Sequence, residues 1–427
     1  MDRVRVPSAL AVCAAIFGFA AHPARCEDAA PAATAANTNS GTPPYQWVRT
    51  LESVQEQIGR GSRSAHDYLP VLVAKIADEL DAVGPDQLLE PQNVRAILTY
   101  ALSGGDSRVV RKLLGLGKLS EQDEKIAKGA LAYLEGKYSV ASEQLLNIDA
   151  RSLSSELGAR IALTQSILTY KSDLKRAIAL LDLARLLSTG TLVEEAALRR
   201  EAVLLAAAGE GDRFESLSGQ YFRRYKDSIY SSYFHQQFCV AAASIDYAAQ
   251  TERLERLAQI VEPLAEAQRL ALYLTLAEKA IAVGNVPLTQ FAGAEGEKLS
   301  KPETPERTRA ALYLAAAEMV AKDSEGALTR LQSLPPASLS PSDENLRHAV
   351  LAVGEEIMRP PVEGEAGQMV PTSALDEPAA KKPESEKAVE GPAANGEKKA
   401  DPPADPILDQ VRIVLADADK ILAKKKP

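Results

Sequence analysis

Ser172 and Lys175 stand three positions apart, the spacing at which a serine nucleophile and a lysine base cooperate in penicillin-recognising enzymes. The companion Ser-Asp-Asn and Lys-Thr-Gly motifs do not occur in the chain. Ser172 also falls where a helix should begin, so it reads as an N-cap. Gly115-Leu116-Gly117 and Gly209-Glu210-Gly211 open like dinucleotide loops, yet both lack the third glycine and the preceding strand, which makes them turns. His66, His235 and His348 each stand without a Cys or second His at metal-ligand spacing. No phosphate loop of the Gly-x-x-x-x-Gly-Lys-Ser/Thr type and no Gly-x-Ser-x-Gly elbow is present. Carboxylate pairs such as Glu194-Glu195 read as helix-face residues, solvated or salt-bridged, in an acidic protein. The expectation is a protein that is not an enzyme, with no catalytic residue, no metal ligand and no cofactor.

One segment departs from an Ala/Leu background. Eight of the 21 aromatic residues lie between positions 214 and 238: Phe214, Tyr221, Phe222, Tyr225, Tyr230, Tyr233, Phe234 and Phe238. Arg223, Arg224 and Lys226 are set among them. Tyr230, Phe234 and Phe238 recur every fourth residue and share a helix face. One reading is a wide gap between helices filled by rings and covered by arginine stems. The other is a binding surface, since aromatic residues and Arg dominate interface hot spots. The Phe residues favour the core reading. Arg223, Arg224, Tyr225, Tyr230 and Tyr233 are the candidate partner-binding residues.

These side chains need a scaffold, and a rhythm of about 36 residues supplies it. Short breaks fall at Gly104 and Gly105, Gly136, Ser172 and Asp173, Gly209 to Gly211, Gln250 and Thr251, Gly284 and Asn285, and Lys322 and Asp323, at intervals of 31 to 41 residues. After several of them an Ala precedes a Leu by four positions: Ala141 and Leu145, Ala177 and Leu181, Ala327 and Leu331. The small residue lets a helix approach its neighbour and the Leu anchors it. Ala, Leu, Glu and Arg are good helix formers, and no alternating β-branched run suggests a strand. The predicted fold is all-α, a TPR-like helical-hairpin solenoid over residues 45–358 in which each hairpin touches only its neighbours.

Both ends read differently. Residues 1–26 carry basic residues, an apolar run over 9–21 and Ala24-Arg25-Cys26, the pattern of a cleaved signal peptide, and imply export to the periplasm. Arg25 before Cys26 disfavours a lipobox. Removal of this segment takes the net charge from −9 to −11, which argues against nucleic acid and anionic lipid as partners. It also leaves Cys239 as the lone thiol, read as buried in preference to an intermolecular disulfide. Residues 27–44 form a flexible leader rich in Ala, Thr, Asn and Pro. Residues 359–406 hold nine of the 25 Pro and read as a disordered acidic linker. Residues 407–424 end the chain with an amphipathic helix whose stripe includes Ile407, Leu408, Val411, Val414, Leu415, Ile421 and Leu422. Such a helix needs a groove, on its own solenoid or on a partner.

Four ordered blocks resemble a known family. They are residues 93–105 (Asn-Val-Arg-Ala-Ile-Leu-Thr-Tyr-Ala-Leu-Ser-Gly-Gly), 131–136, 190–200, and the run Phe222-Arg223-Arg224-Tyr225 continuing through Ser228, Tyr230 and Phe234 to Phe238. Together they are similar to the MotC family of periplasmic motility proteins of rhizobia and related α-proteobacteria, over about residues 45–350. The resemblance implies a non-enzymatic role in flagellar rotation. It also implies association with MotB, the stator protein whose periplasmic part anchors the motor to peptidoglycan, as a chaperone or in energy coupling. The family carries no catalytic residues to transfer. Two other readings stay open: a cell-wall enzyme or its activator, which would need a convergent acid–base pair, and a generic exported TPR-like adaptor in envelope assembly.

Overall fold

The computed structural model describes residues 42–246, 252–321 and 324–358. They form eighteen α-helices and two 3-10 turns, and no strand occurs among the described residues. From the N-terminus, α1 (Pro44–Gly59) and α2 (Arg63–Ala82) lead through the single turn α3 (Pro85–Leu88) into α4 (Pro91–Leu102) and α5 (Ser107–Gly115). Next come α6 (Glu121–Leu134), α7 (Tyr138–Leu145), α8 (Ser155–Thr169), α9 (Leu174–Leu187), α10 (Leu192–Ala207) and α11 (Gly211–Arg224). The remaining helices are α12 (Ser231–Ala243), α13 (Glu252–Val261), α14 (Glu266–Ala282), α15 (Val286–Leu299), α16 (Pro305–Ala321), α17 (Ser324–Ser333) and α18 (Pro341–Met358). None of them is long and apolar enough to cross a membrane.

Local chemistry explains where the helices start and stop. The side chains of Ser62, Ser120, Asp173, Thr191 and Asn285 each accept the backbone N–H three residues ahead. Orphan amides of the first turn are satisfied in this way. For α9 the cap is therefore Asp173. The expectation for Ser172 is corrected: its hydroxyl donates to Thr169 O at 3.0 Å and closes the preceding turn instead. Pro287 sits in the first turn of α15 as its fixed φ allows, whereas Pro263 lies in the turn after α13. At the C-terminal ends, Gly209 and Gly284 adopt φ of +75° and +74°, a region that costs L side chains about 1–2 kcal/mol. The following amides reach back, Glu210 N to Leu205 O at 2.8 Å and Asn285 N to Ala280 O at 2.9 Å. That is the Schellman closure.

The expected breaks at 104–105, 136, 172–173, 209–211 and 284–285 all separate helices. Those at 250–251 and 322–323 lie outside the described residues, as do the signal peptide, nearly all of the leader, the acidic linker and the 407–424 helix. The Ala/Leu pairs behave as read: Ala141, Leu145, Ala177, Leu181, Ala327 and Leu331 are all at 0 % exposure. Helices α6 and α7 cross so closely that a Cβ at Gly129 would come within 2.4 Å of Leu145 Cγ.

Even-numbered helices make a continuous layer, α8 on α10, α10 on α12, α12 on α14, α14 on α16 and α16 on α18. Their odd partners α9, α11, α15 and α17 pack behind them. Nearest-neighbour packing fails at the N-terminus. Helix α1 packs on α2, but also on α4 and on α10, and α4 packs on α8. Leu51 and Ile58 of α1, both at 0 % exposure, belong to the same core as Leu192, Ala196 and Ala197 of α10. The N-terminal hairpin is thus folded across the array, because α1 carries an apolar face that no adjacent hairpin covers alone.

Candidate functional site

The aromatic and arginine segment lies over the first turn of α10. That turn carries two acids immediately after the Thr191 cap, at the end of a helix where the dipole favours negative charge. Glu194 and Glu195 are 2 % and 0 % exposed. The solvated reading is overturned and the salt-bridged one holds, because α10 is wrapped on both sides and has no water face. Glu194 accepts from the Gly190 amide at 2.5 Å, from the Tyr225 hydroxyl at 2.8 Å and from Arg224 Nη2 at 2.8 Å. Arg224 Nη1 donates to its other oxygen, completing a bidentate pair. Glu195 Oε1 accepts from the Tyr221 hydroxyl at 2.7 Å and from Ser228 Oγ at 2.9 Å, and Arg199 Nε lies 3.9 Å from it.

Arg199, 3 % exposed, is the hub of the second half of the cluster. Its guanidinium carbon sits 5.1 Å from the Tyr230 ring centre and 5.5 Å from that of Tyr233, within cation–π range of both. On another side Tyr230 meets His66 of α2 edge-on, with ring centres 6.3 Å apart. Burial pushes the Tyr230 hydroxyl up to about 12 and lifts those of Tyr221 and Tyr225 well above the ordinary phenol range. These phenols stay protonated at neutral pH. Tyr221 and Tyr225 serve as hydrogen-bond donors to carboxylates, with no activated nucleophile among the three.

Further along α10 and α11 the pattern repeats. Glu201, at 0 % exposure, accepts from Arg185 Nη1 at 2.8 Å and Arg213 Nη2 at 3.1 Å. Burial outweighs both guanidinium groups and pushes its carboxyl up to about 7. Glu215 pairs with Arg253 at 2.9 Å and Arg256 at 3.1 Å. On the opposite flank Arg160 of α8 is held by Ser103 Oγ at 2.6 Å, Gln55 Oε1 at 3.3 Å and the Glu52 carboxylate at 3.3 Å. It ties α1, α4 and α8 together. The α1–α2 turn closes the arrangement: a Cβ at Gly61 would lie 2.3 Å from Asp227 O, and Gly61 has φ +94°.

The structure brings four of the five candidate residues into one network. Arg224 and Tyr225 converge on Glu194, and Tyr230 and Tyr233 stack on Arg199. Arg223 stands apart, exposed on the outer side of α11. Tyr225 is 6 % exposed, so its ring supports the surface from beneath. Phe214, Phe222, Phe234 and Phe238, all at 0 % exposure, fill the core as expected. Their tightest ring contact is Tyr221 on Phe234, with centres 4.0 Å apart. Sequence reading passed over Arg199, Glu201 and Arg160, and took Glu195 for a helix-face residue, solvated or salt-bridged. Glu194, Glu195, Arg199, Arg200 and Glu201 are spread around the 192–207 helix, so its sequence has no single apolar stripe to tell an inward acid from an outward one. Cys239 is buried, its thiol held protonated by burial, with Sγ 3.6 Å from Leu272 O; an intermolecular disulfide has no exposed sulfur to form from. No group of three or more His, Cys, Asp or Glu suited to a metal occurs among the described residues.

The model of a protein family described as chemotaxis protein MotC matches residues 2–427 of this chain. The chain belongs to the MotC family. It is 30% identical over 351 residues to the chemotaxis protein MotC of Rhizobium meliloti (strain 1021), covering 82% of this chain and 80% of that one. No solved structure matches. Membership in the MotC family carries a role in motility and chemotaxis, and the family is one of motility accessory proteins rather than enzymes. The blocks that resembled MotC are also places where helices are tied together. In block 93–105 the Tyr100 hydroxyl donates to Val73 O at 2.9 Å and accepts from the Asp106 amide at 3.0 Å. Blocks 190–200 and 222–238 supply the carboxylates, guanidinium groups and rings of the buried network.

Proposed function

We propose that this protein is exported through residues 1–26 and acts in the periplasm, where it binds the periplasmic part of the stator protein MotB and keeps it competent for flagellar rotation. The observation that carries this reading is the match of almost the whole chain to a motility family. A hairpin array suits the task, because rigid stacked helices offer an extended surface to a folding or docking partner. On this reading Arg223, Arg224 and Tyr233 form the outer contact, while Tyr225 and Tyr230 fix it from below through Glu194 and Arg199. Arg and Tyr over a buried, packed network combine low ordering entropy with charge, as interface hot spots do.

Two experiments test it. An in-frame deletion strain is scored for swimming and for filaments by electron microscopy: the expected result is paralysed cells with normal filaments, since assembly succeeds and torque fails. Normal swimming would remove the motor role and leave an envelope adaptor. Binding of purified protein to the MotB periplasmic fragment is then measured for Arg223→Glu, a variant that leaves every buried pair intact. A loss of about tenfold or more is expected, the equivalent of about 1.4 kcal/mol. Unchanged affinity would move the contact surface off α11.

A further inference from the structure

Helix α18 ends the described array as a helix of the even-numbered layer. It packs on α16 and α17, and Gly354 lies so close that a Cβ there would come within 2.7 Å of Met319 Cε and 3.3 Å of Leu328 Cδ1. Helices α8, α10, α14 and α16 of the same layer each have a partner that follows in sequence and packs against them. No described helix follows α18. Its uncovered side carries large apolar residues among polar ones: Val353 is 51 % exposed, Ile357 53 % and Met358 45 %, with Ala349 exposed one turn before and Asn345, His348, Glu355 and Glu356 around them. Ala349, Val353 and Ile357 recur every fourth residue and make one stripe. Solenoid ends normally present a polar outer face to water. Here an apolar stripe runs through it.

The chain itself carries a segment of matching chemistry. Residues 407–422 place Ile407, Val411, Val414, Leu415 and Leu422 at helical spacing, and Lys420, Lys424, Lys425 and Lys426 follow or flank them. Glu355 is exposed beside the α18 stripe, opposite in sign to the Lys424–Lys426 run that follows the segment, while the segment's own Asp409, Asp417 and Asp419 are set against Arg412 and Lys420. Between Met358 and the segment lie residues 359–406. As a random chain, that number of residues has an average span of about 35–40 Å, at 5–6 Å times the square root of the residue number. This exceeds the ~27 Å length of an 18-residue helix at 1.5 Å per residue, so the tether reaches every point on α18. At such a span the effective concentration is in the millimolar range, enough for a modest apolar contact to persist.

We infer that residues 407–422 dock in cis on the Ala349, Val353 and Ile357 face of α18 and supply the partner helix that completes the last hairpin.

Hydrogen exchange on the full chain tests this, compared with Val353→Glu and with a chain ending at residue 400. Val353 is already half exposed, so the Glu variant does not threaten the fold, and protection of α10 serves as the internal control. The expected result is protection of amides in 407–422 by tenfold or more over coil rates. That protection should be independent of protein concentration and abolished by Val353→Glu, and truncation should loosen the second half of α18. Coil-rate exchange of 407–422 in the full chain would overturn the inference. Protection that appears only as concentration rises would overturn it too, by making a second copy the occupant. Protection unchanged in Val353→Glu would place the segment on another face and overturn it equally.

Discussion

Helices α10–α12 and α14–α16 build the same kind of hairpin stack by opposite means. The first group buries Glu194, Glu195, Glu201 and Arg199 and holds them with tyrosines and arginines from neighbouring helices. The second group is held by apolar contacts: Leu272, Leu274, Leu276, Leu288 and Leu312 fill the space between its helices, and small residues line the close crossings, Ala277, Ala280, Ala292 and Ala310 at 0 % exposure with Gly293 and Gly296 between them. Small residues let backbones approach and gain dispersion contacts without desolvating any charge. Charged contacts carry a desolvation cost of several kcal/mol per ion, which good geometry only offsets. What they add is intolerance of a slipped register, since a one-turn shift of α11 would take Arg224 from Glu194 and Tyr221 from Glu195 while both acids stay buried. The stack is cheaply held at one end and sharply specified in the middle, where the N-terminal hairpin must also find its place.

The contrast can be broken most forcibly at Glu195. Glu195→Leu leaves Arg199 buried with no counter-charge and should cost about 3–5 kcal/mol in urea denaturation. The double variant with Arg199→Met should recover part of that loss, because both charges then vanish together. A loss below about 1 kcal/mol would mean that the rings, and not the charges, hold α10 to α11.

A pH experiment sharpens the comparison next. Glu201 titrates at about 7 in the fold against an ordinary value of 4.5, so the folded state keeps a proton that the unfolded state has released. Its contribution to stability therefore falls as pH rises from 4.5 to 7. His235, lowered by burial to about 4 from 6.5, does the reverse: the unfolded state holds the extra proton, and stability rises from pH 4 to 6.5. Each amounts to about 3 kcal/mol at 1.36 kcal/mol per unit, and the two oppose each other. Relative to the parent chain, Glu201→Gln should tilt the stability profile upward with pH and His235→Phe downward. Parallel profiles for both variants would show that neither group changes its protonation on folding.

In the small-residue region the effects should be steric and independent of pH. Ala310→Leu drives a larger side chain into the α14–α16 crossing and should cost about 1–3 kcal/mol by thermal unfolding. The smallest expected change is Gly296→Ala. Its Cβ would meet Leu274 Cδ2 at 3.4 Å and Ala310 Cβ at 3.5 Å, ordinary contacts. The helix propensity gain of up to about 1 kcal/mol should then appear as a slight stabilisation. A clear loss would reveal a tighter crossing than the backbone suggests.

The two regions also differ in how far they could be read from sequence. Ala327 and Leu331, or Gly284 and Asn285, act within one turn or one crossing, and their spacing carries the information. The Phe residues from 214 to 238 were legible as core for the same reason. Glu194 meets Arg224 thirty positions away and Glu195 meets Ser228 at thirty-three, so nothing in the local pattern distinguishes them from surface acids. Ser172 and Asp173 are adjacent, equally good caps, and the choice rests on where the backbone turns. The contact of α1 with α10 was invisible, because nearest-neighbour logic is a property of ideal repeats and α1 is not one. Of the five proposed contact residues, periodicity placed them on one surface segment, but only the packed structure separates Arg223 from Tyr225.

The seat of α1 has a consequence for how the molecule is made. A chain that emerges N-terminus first presents Leu51 and Ile58 long before Leu192 and Ala196 exist to receive them. Until α10 appears, the first hairpin has a ready face and only part of its berth. Contacts across such sequence separations form late and slow folding, because the intervening loop must close before the contact repays it. The last hairpins can settle on what precedes them, while the first waits for the middle of the chain to arrive.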